Sequence, residues 1–166
     1  MQVRNSHTLR SLIIFVVTFF ALQQGWERCR DSIVETWVID LATVRPAASV
    51  IDYLWPEQQI VAQNNSLIAS HGRLNVLNGC EGLETLFLLI AAFFAYPLPW
   101  KNRSVGIGLS ILLVYFVNQA RIIFLWWAIQ EHPTWFGTLH GAVLPLILIA
   151  IALVFFMAFL PQRQNA

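Results

Sequence analysis

The sequence has few charged residues, few cysteines and no excess of basic charge. Of its 166 residues only 11% are Asp, Glu, Lys or Arg, against about 25% in ordinary soluble domains. The formal net charge is +1, so the chain lacks the basic stripe that binds nucleic acid. Two cysteines are too few for a disulfide scaffold or a four-thiolate zinc site, and no group of residues has metal-ligand spacing. We therefore expect no nucleic-acid partner, no metal and no cofactor.

The sequence is instead rich in long apolar blocks. Hydrophobic residues make up 57% of the chain, and the mean hydropathy is +0.61. A helix needs about 20 mostly apolar residues to cross roughly 30 Å of hydrocarbon. Four segments meet or approach that length, and we predict transmembrane helices at roughly residues 9–26, 83–100, 104–127 and 141–160. The pattern predicts a single all-α integral membrane domain over residues 1–166.

The first apolar block also has a feature of a signal peptide, because Arg4 and Arg10 precede it. A cleavage site requires small residues after the apolar core, and glutamine and tryptophan occupy the relevant positions. We therefore interpret residues 9–26 as a transmembrane helix that is retained in the protein.

The distribution of charge predicts the orientation of these helices. Lys and Arg favour cytoplasmic loops. The two termini and the turn between the second and third helices carry only basic charges, on Arg4, Arg10, Lys101, Arg103 and Arg163. All nine acidic residues lie elsewhere. We therefore expect a bacterial inner-membrane protein with both termini in the cytoplasm and a periplasmic segment at roughly residues 27–82.

The periplasmic segment has the pattern of an ordered structure rather than a linker. Over residues 32–54 apolar side chains recur at three- and four-residue spacing, which predicts an amphipathic interfacial helix broken at Arg45-Pro46. Short apolar pairs between turn residues predict a small extended or hairpin element over residues 58–76. The predicted fold is therefore four transmembrane helices with an outward-facing interfacial helix and a short extended element.

Three side chains that can take part in catalysis fall at the same predicted membrane depth. Cys80 and His140 each stand immediately before a helix that descends from the outer face. Arg121 lies about 25 Å along the third helix from its cytoplasmic start, which brings it close to the same boundary. The topology therefore predicts that a thiol, a guanidinium and an imidazole meet at the periplasmic face.

Each of these residues also has an interpretation without catalysis. A cysteine in a membrane protein is often apolar filler, and Cys80 is also placed to form a structural disulfide with Cys29. Arg121 is placed to extend to the outer headgroups with Glu84 or Glu131 as its partner. His140 is equally well explained as an interfacial or helix-capping histidine. A non-enzymatic accessory membrane protein with a Cys29–Cys80 disulfide is therefore the alternative to an enzyme.

The catalytic interpretation gives each residue a role. A nearby cation lowers the pKa of a thiol, so Arg121 would favour the thiolate form of Cys80. A neutral His140 acts first as a base and later as an acid for the leaving amine. The guanidinium holds the thiolate or stabilises an oxyanion at the scissile carbonyl, and the sequence leaves both roles open.

Three further polar residues are placed to support this site or to orient the substrate. Asn118 lies three residues before Arg121 on the same helical face. Glu81 and Glu84 follow Cys80 closely, so their carboxylates oppose formation of a thiolate. Glu84 is also placed to pair with Arg121. We therefore predict Asn118, Glu81 and Glu84 as supporting residues.

At these positions the sequence resembles the exosortase/archaeosortase family of membrane-embedded cysteine transpeptidases. The resemblance rests on the motif NGCEG at residues 78–82, on Asn118 and Arg121 near the outer end of the next span, and on His140 before the last. It covers roughly residues 52–160, and the shortness of the chain is similar to the exosortase H subgroup. The chain departs from the family in two respects, because many members have more spanning helices and a serine often follows the cysteine, where a glutamate stands here.

The resemblance implies an enzyme that processes exported proteins at C-terminal sorting tails, each consisting of a signature motif, one transmembrane helix and a basic cluster. It implies that Cys80 attacks a backbone carbonyl near the motif and forms a thioacyl intermediate, and that Arg121 and His140 assist. An acceptor, which is water, a lipid or a glycan, then releases the acyl group. The expected partners are these exported proteins and the lipid bilayer, while the sequence predicts no oligomeric state.

Overall fold

A computed structural model describes residues 2–69, 72–76 and 79–160, with side chains from residue 8 onward. The α-helices in this part of the chain are α1 (Gln2–Arg28), α2 (Ile33–Thr36), α3 (Arg45–Leu54), α4 (Leu83–Ala95), α5 (Trp100–Glu131), α6 (Pro133–Thr138) and α7 (Leu144–Phe159). A first π segment (Trp37–Val44) joins α2 to α3, and a second π segment (Leu139–Val143) joins α6 to α7. A 3₁₀ turn (Pro56–Gln58) and the strands β1 (Val61–Gln63), β2 (Ser66–Ala69) and β3 (Gly72–Asn75) lie between α3 and α4.

Three helical stretches among the described residues are long and apolar enough to cross a membrane. They are Thr8–Arg28, Trp100–Glu131 and the continuous unit Pro133–Phe159 that α6, the second π segment and α7 form together. Helix α4 has 13 residues, which cover about 20 Å of the roughly 30 Å of hydrocarbon. The protein is therefore a mostly helical, multi-pass membrane protein, while the fourth crossing, at residues 83–100, stays a prediction.

Prolines set two helix boundaries away from the predicted spans. Helix α4 begins at Leu83, the first residue of the predicted second span, but ends at Ala95 before the sequence Tyr-Pro-Leu-Pro, because a residue before proline avoids the helical conformation. The last helix begins at Pro133 rather than at residue 141. His140 therefore lies inside a helical unit and not ahead of it.

The predicted outer helix is present, but its proline changes the helix type and does not break the helix. Residues 33–54 form one helical run through α2, the first π segment and α3. Pro46 has no N–H to donate to the Ala42 carbonyl four residues earlier. The Gln119 side chain of α5 donates to that carbonyl instead, at 3.1 Å. The predicted break at Arg45-Pro46 is therefore wrong, because a wider helical turn and a side-chain donor accommodate the proline.

The predicted extended element is a three-stranded antiparallel sheet with strand order β1-β2-β3. In the first hairpin Gln63 pairs with Ser66 across Asn64 and Asn65, and Asn64 has φ +52°. Asparagine tolerates this left-handed conformation, so the hairpin turns where its residue types predict. The second predicted turn, at His71, lies outside the described residues.

Two clusters of buried apolar side chains hold these elements together. The larger cluster lies between the first π segment, α3, the sheet and the outer part of α5, and it includes Ile39, Val44, Ile51, Leu67 and Trp126. Cys80 belongs to this cluster. The smaller cluster joins α4, α5 and α7 through Leu89, Val114 and Ala152. We call the first π segment, α3 and the sheet together the outer lobe. The cysteine therefore lies against the core that connects this outer lobe to α5.

Helices α4, α5 and α7 pack closely at the end remote from the cysteine. A Cβ atom at Gly106 of α5 would lie 2.4 Å from the Phe93 ring, so α5 needs a glycine there. Phe93 is fully buried, and its ring packs edge-on against Phe156 and Phe159 with centroid distances of 5.1 and 5.2 Å. This aromatic packing fixes the relative positions of the three helices that carry the candidate site.

Candidate active site

Cys80 lies in a short loop between β3 and α4 that two glycines shape. Gly79 and Gly82 have φ angles of +92° and +79°, a conformation that is unfavourable for residues with a Cβ atom. A Cβ atom at Gly82 would also lie 3.1 Å from the side chain of Asn118. Both backbone conformation and space therefore require glycine at position 82, and the loop holds Cys80 with 6% of its surface exposed.

Asn118 connects this loop to α5. Its Nδ2 atom donates a hydrogen bond to the Cys80 carbonyl oxygen at 2.9 Å, and the side chain is 2% exposed. Its Oδ1 atom is buried and accepts no hydrogen bond within the described residues. Asn118 thus contacts the cysteine loop, which gives the predicted supporting residue a positioning contact.

The His140 imidazole lies beside the Cys80 sulfur. The Sγ atom is 3.7 Å from Nδ1 and 3.6 Å from Nε2. An in-line S–H···N hydrogen bond would bring one nitrogen much closer than the other, so neither nitrogen points directly at the sulfur. Phe136 stacks on the imidazole with a centroid distance of 5.4 Å and an interplanar angle of 7°. The imidazole therefore contacts both the Cys80 sulfur and the Phe136 ring.

The second π segment sets the backbone at His140. Pro145 has no N–H, and the Leu144 N–H bonds to the Leu139 carbonyl five residues back. If bonds between residues five apart continued, the next would run to the His140 carbonyl from the backbone N–H of residue 145, which proline lacks. Arg121 Nη2 lies 3.5 Å from the same carbonyl oxygen and donates to it. The proline thus makes a backbone acceptor available to the guanidinium.

Arg121 bridges the two segments that carry the thiol and the imidazole. Besides the contact to His140, its Nη1 atom lies 3.5 Å from the Gly79 carbonyl oxygen. Both distances are at the long end of the hydrogen-bond range, so these donors are held weakly. Nε is buried and donates to no described residue. The guanidinium thus retains donor capacity in a site from which most water is excluded.

The predicted pairing of Arg121 with Glu84 is wrong. Ion pairs among the described residues are limited to Arg30–Glu27 and Arg45–Asp40. The Glu84 side chain is exposed, because the turn at Gly82 starts α4 with this residue facing outward. The non-catalytic interpretation requires the Arg121 side chain to extend to the headgroups. Arg121 is only 7% exposed, so it does not do so.

Glu81 is buried next to the cysteine, with 9% of its surface exposed. Burial raises the pKa of its carboxyl group; the backbone amides of Glu81 and Gly79 and the Trp26 indole act in the opposite direction, while Glu84 adds to the rise. Neither the Trp26 Nε1 atom nor Glu81 Oε2 completes a hydrogen bond with a described residue. A higher pKa keeps Glu81 neutral over a wider pH range, which weakens its predicted opposition to a thiolate.

The two cysteines are not joined. No disulfide links Cys29 to Cys80 in the structure, contrary to the non-enzymatic alternative. Cys29 follows α1 directly and is half-buried, whereas Cys80 lies in the glycine-shaped loop. Neither sulfur is therefore part of a disulfide in this structure.

Sequence reasoning missed two residues of this site. Phe136 stands four residues before His140, a helical spacing that becomes informative once the last helix is known to begin at Pro133. Trp26 lies near the end of α1, and the sequence pattern of α1 gives no sign that its indole faces Glu81. Cys80, His140, Arg121, Asn118 and Glu81 do come together, whereas Glu84 does not. The catalytic roles of these residues stay predictions.

Comparisons with known proteins identify the family of the chain. The family model of the transmembrane exosortases (Exosortase_EpsH) matches residues 6–158. Archaeosortase A of Natronomonas pharaonis is 25% identical over 146 residues, which cover 84% of this chain and 46% of that protein. The chain thus spans less than half the length of this relative. No solved structure matches the chain. Because the family model covers nearly the whole sequence, the chain belongs to the transmembrane exosortase family.

Proposed function

We propose that the protein is a membrane-embedded cysteine transpeptidase that cleaves the C-terminal sorting tails of exported proteins. The observation that carries the proposal is the meeting of Cys80, His140 and Arg121 from a loop and two separate helices. A thiol nucleophile, an adjacent base and a buried cationic donor are the groups that acyl transfer through a thioester needs. Family membership supports the same reaction class.

The first half-reaction forms the acyl-enzyme. His140 accepts the thiol proton while the Cys80 sulfur attacks the carbonyl carbon at the cleavage site. The new carbon–sulfur bond turns the carbonyl oxygen into an oxyanion, which the donors of Arg121 stabilise. The carbon–nitrogen bond then breaks, and the imidazolium gives its proton to the departing amine. The products are a thioester on Cys80 and the released tail.

The second half-reaction releases the acyl group. An acceptor with an O–H or N–H bond attacks the thioester, and His140 takes its proton. The carbon–sulfur bond breaks, and the sulfur regains a proton from the imidazolium. Water as the acceptor gives hydrolysis, whereas a hydroxyl or amine of a lipid or glycan gives transfer.

The proposal also includes an orientation in the membrane. The site lies at the periplasmic face of a bacterial inner membrane, and both termini lie in the cytoplasm. The basic residues Arg10, Lys101 and Arg103 support this orientation, because they lie at the end of the helices opposite Cys80. A partner protein whose own tail helix spans the bilayer would present the segment before that helix at the depth of Cys80.

Substitution of the nucleophile tests the proposal. The probe is a reporter that carries a tail of signature motif, transmembrane helix and basic cluster, taken from the same genome and co-expressed with this protein. The wild type should shorten the reporter, and mass spectrometry after acid quenching should find an acyl adduct on the Cys80 peptide. Both Cys80→Ala and Cys80→Ser should abolish shortening, whereas Cys29→Ala, which removes the other thiol, should retain it. Normal shortening by a well-expressed Cys80→Ala variant would refute the proposal.

Thiol labelling tests the non-enzymatic alternative. With two separate thiols, a maleimide should label Cys80 in the Cys29→Ala variant and in the wild type at similar rates without reductant. Labelling of the wild type only after reduction would restore the disulfide alternative.

A further inference from the structure

A cleft at the end of the helices opposite Cys80 combines two arginines with an apolar floor. It lies between α1 and the connection from α4 to α5, and its volume is about 380 Å³. Arg10 and Arg103 both line it, together with the hydroxyl-bearing residues Ser11 and Tyr96 and the apolar Ile14. The cleft therefore offers two cations and two hydroxyl groups to one ligand.

Neither arginine is neutralised by a described residue. None of the nine acidic residues of the chain lines the cleft, and neither arginine forms an ion pair with another described residue. Arg103 is nevertheless held in place, because Nε donates to the Phe93 carbonyl at 3.0 Å and Nη2 to the Tyr96 carbonyl at 3.4 Å. Its guanidinium also lies 4.7 Å from the centroid of the Trp100 ring. The Arg103 guanidinium is therefore held in place and half-buried, and its Nη1 atom takes no part in these two hydrogen bonds. Such a cation suits an anionic ligand.

The cleft continues as an apolar groove along α4. A second cavity of about 430 Å³ shares Tyr96 with the cleft, and a third of about 200 Å³ shares Ala92 and Phe156 with the second. The third cavity reaches Thr85. From Ala95 to Thr85 the helix rises about 15 Å, which is half of the roughly 30 Å of hydrocarbon in a bilayer. The continuous groove therefore has one cationic end and an apolar run one leaflet deep.

We propose that this groove binds an anionic phospholipid from the leaflet opposite the Cys80 site. Its phosphodiester lies between Arg10 and Arg103, and one acyl chain follows α4. Guanidinium groups bind phosphate oxygens through paired, charge-assisted hydrogen bonds, and basic pockets between transmembrane helices recognise anionic headgroups. A headgroup rather than a soluble phosphate is indicated because the cationic cleft opens into the apolar groove. This binding does not depend on the proposed peptidase activity.

Lipid retention by the purified full-length protein tests the proposal. Native mass spectrometry in a non-ionic detergent would compare phosphatidylglycerol with phosphatidylcholine of the same acyl chains. We expect one retained phosphatidylglycerol, bound about tenfold more tightly than phosphatidylcholine, because both lipids carry the phosphodiester but the choline cation of phosphatidylcholine would lie beside the two arginines. Arg10→Gln should remove most of this preference. Lys101→Gln is the matched control, since it removes a charge at the same end from a residue that does not line the cleft.

Other outcomes would overturn the proposal. Equal retention of the two lipids would show that the cleft does not select an anionic headgroup, and equal weakening by Arg10→Gln and Lys101→Gln would show that the arginines only add surface charge. Displacement of phosphatidylglycerol by millimolar glycerol phosphate would assign the cleft to a soluble phosphate. Ala92→Leu, which narrows the groove, should weaken retention of long-chain more than of short-chain phosphatidylglycerol, and equal effects would exclude the acyl-chain contact. Arg103→Gln is less useful, because Arg103 also holds the end of α4.

Discussion

The two π segments share one backbone arrangement and lie in different parts of the molecule. In each, the residue before a proline donates to the carbonyl five residues back, Arg45 to Asp40 in the first and Leu144 to Leu139 in the second. Each segment also accepts a hydrogen bond from a polar side chain of α5. The first belongs to the outer lobe, and the second carries His140, whose imidazole lies beside the Cys80 sulfur.

The first π segment is held at several points. Gln119 Nε2 donates to the carbonyls of Ala42 and Thr43 at 3.1 and 3.4 Å. Asp40 is buried and forms an ion pair with Arg45 at 2.9 Å. The Gln119 side chain therefore satisfies the carbonyl acceptors that Pro46 leaves without a backbone donor. The first π segment thus acts as a fixed connection from the outer lobe to α5.

The second π segment is held loosely. None of the residues 139–143 is buried, and the contact from Arg121 to the His140 carbonyl is long, at 3.5 Å. A weak contact of this kind costs little to exchange, so the guanidinium can turn from this carbonyl to a substrate oxygen. We infer that the first segment determines stability and the second determines catalysis.

Replacing each of the two α5 donors, Arg121 and Gln119, should give the largest difference between the two π segments. Arg121→Lys should lower kcat/KM for tail cleavage by about 100-fold or more, because a single ammonium does not reproduce a planar fork of donors at the oxyanion. Gln119→Leu should instead lower the melting temperature and leave kcat/KM within about twofold. Reporter cleavage and thermal unfolding of both variants would measure this. Full activity of Arg121→Lys would show that Arg121 has only a structural role.

Replacing the two prolines compares the segments directly. Pro145→Ala supplies an N–H for the α-helical register, which shifts His140 relative to the sulfur, and a shift of about 1 Å is enough to cost about 100-fold in rate. We expect kcat to fall at least tenfold with the melting temperature unchanged or raised. Pro46→Ala is the matched control and should leave kcat nearly unaffected. Equal kcat values for the two variants would mean that the second π segment does not position the imidazole.

Glu81 is buried, whereas its neighbour Glu84 is exposed, and the burial of Glu81 makes the stability of the protein depend on pH. Burial raises the pKa of Glu81 above the value of 4.5 in an unfolded chain, so the folded protein binds this proton more tightly and loses stability as pH rises through that range. Glu81→Gln should therefore raise the melting temperature at pH 7–8, and the gain should disappear below about pH 4. A gain for Glu81→Gln that persists unchanged at low pH would contradict the role of burial.

Much of the site's placement could be predicted because it depends on lengths. The rise per residue of a helix and the thickness of a bilayer were sufficient to predict that Cys80, Arg121 and His140 lie at one depth. Helical periodicity likewise placed Asn118 and Arg121 on one face, and both are buried. Hydropathy gave the helical, multi-pass character of the chain, which the three long apolar helices confirm.

The remaining features depend on contacts between residues far apart in the chain. The effect of Pro46 on its helix depends on Gln119, which comes from another helix. The outward direction of Glu84 follows from the positive φ of Gly82, which a charge pattern does not show. A last span that begins at residue 141 leaves Phe136 outside it, so the helical spacing between Phe136 and His140 becomes visible only because the helix begins at Pro133.

The smallest expected effect concerns two aromatic residues that each stack on a histidine. Phe136 stacks on His140 in the site, and Trp135 stacks on His132 outside it at a centroid distance of 4.7 Å. An aromatic pair contributes about 0.5–1.5 kcal/mol, so Phe136→Leu should lower kcat by about threefold to tenfold as the imidazole loses its preferred orientation. KM should change little, and Phe136→Tyr should restore kcat because it restores the ring. Trp135→Leu removes an equivalent stack and should leave kcat unchanged, since of these two aromatic residues Phe136 is the one that stacks on the histidine beside the thiol. A matching loss of kcat in Trp135→Leu would indicate a general effect of aromatic residues at the membrane boundary.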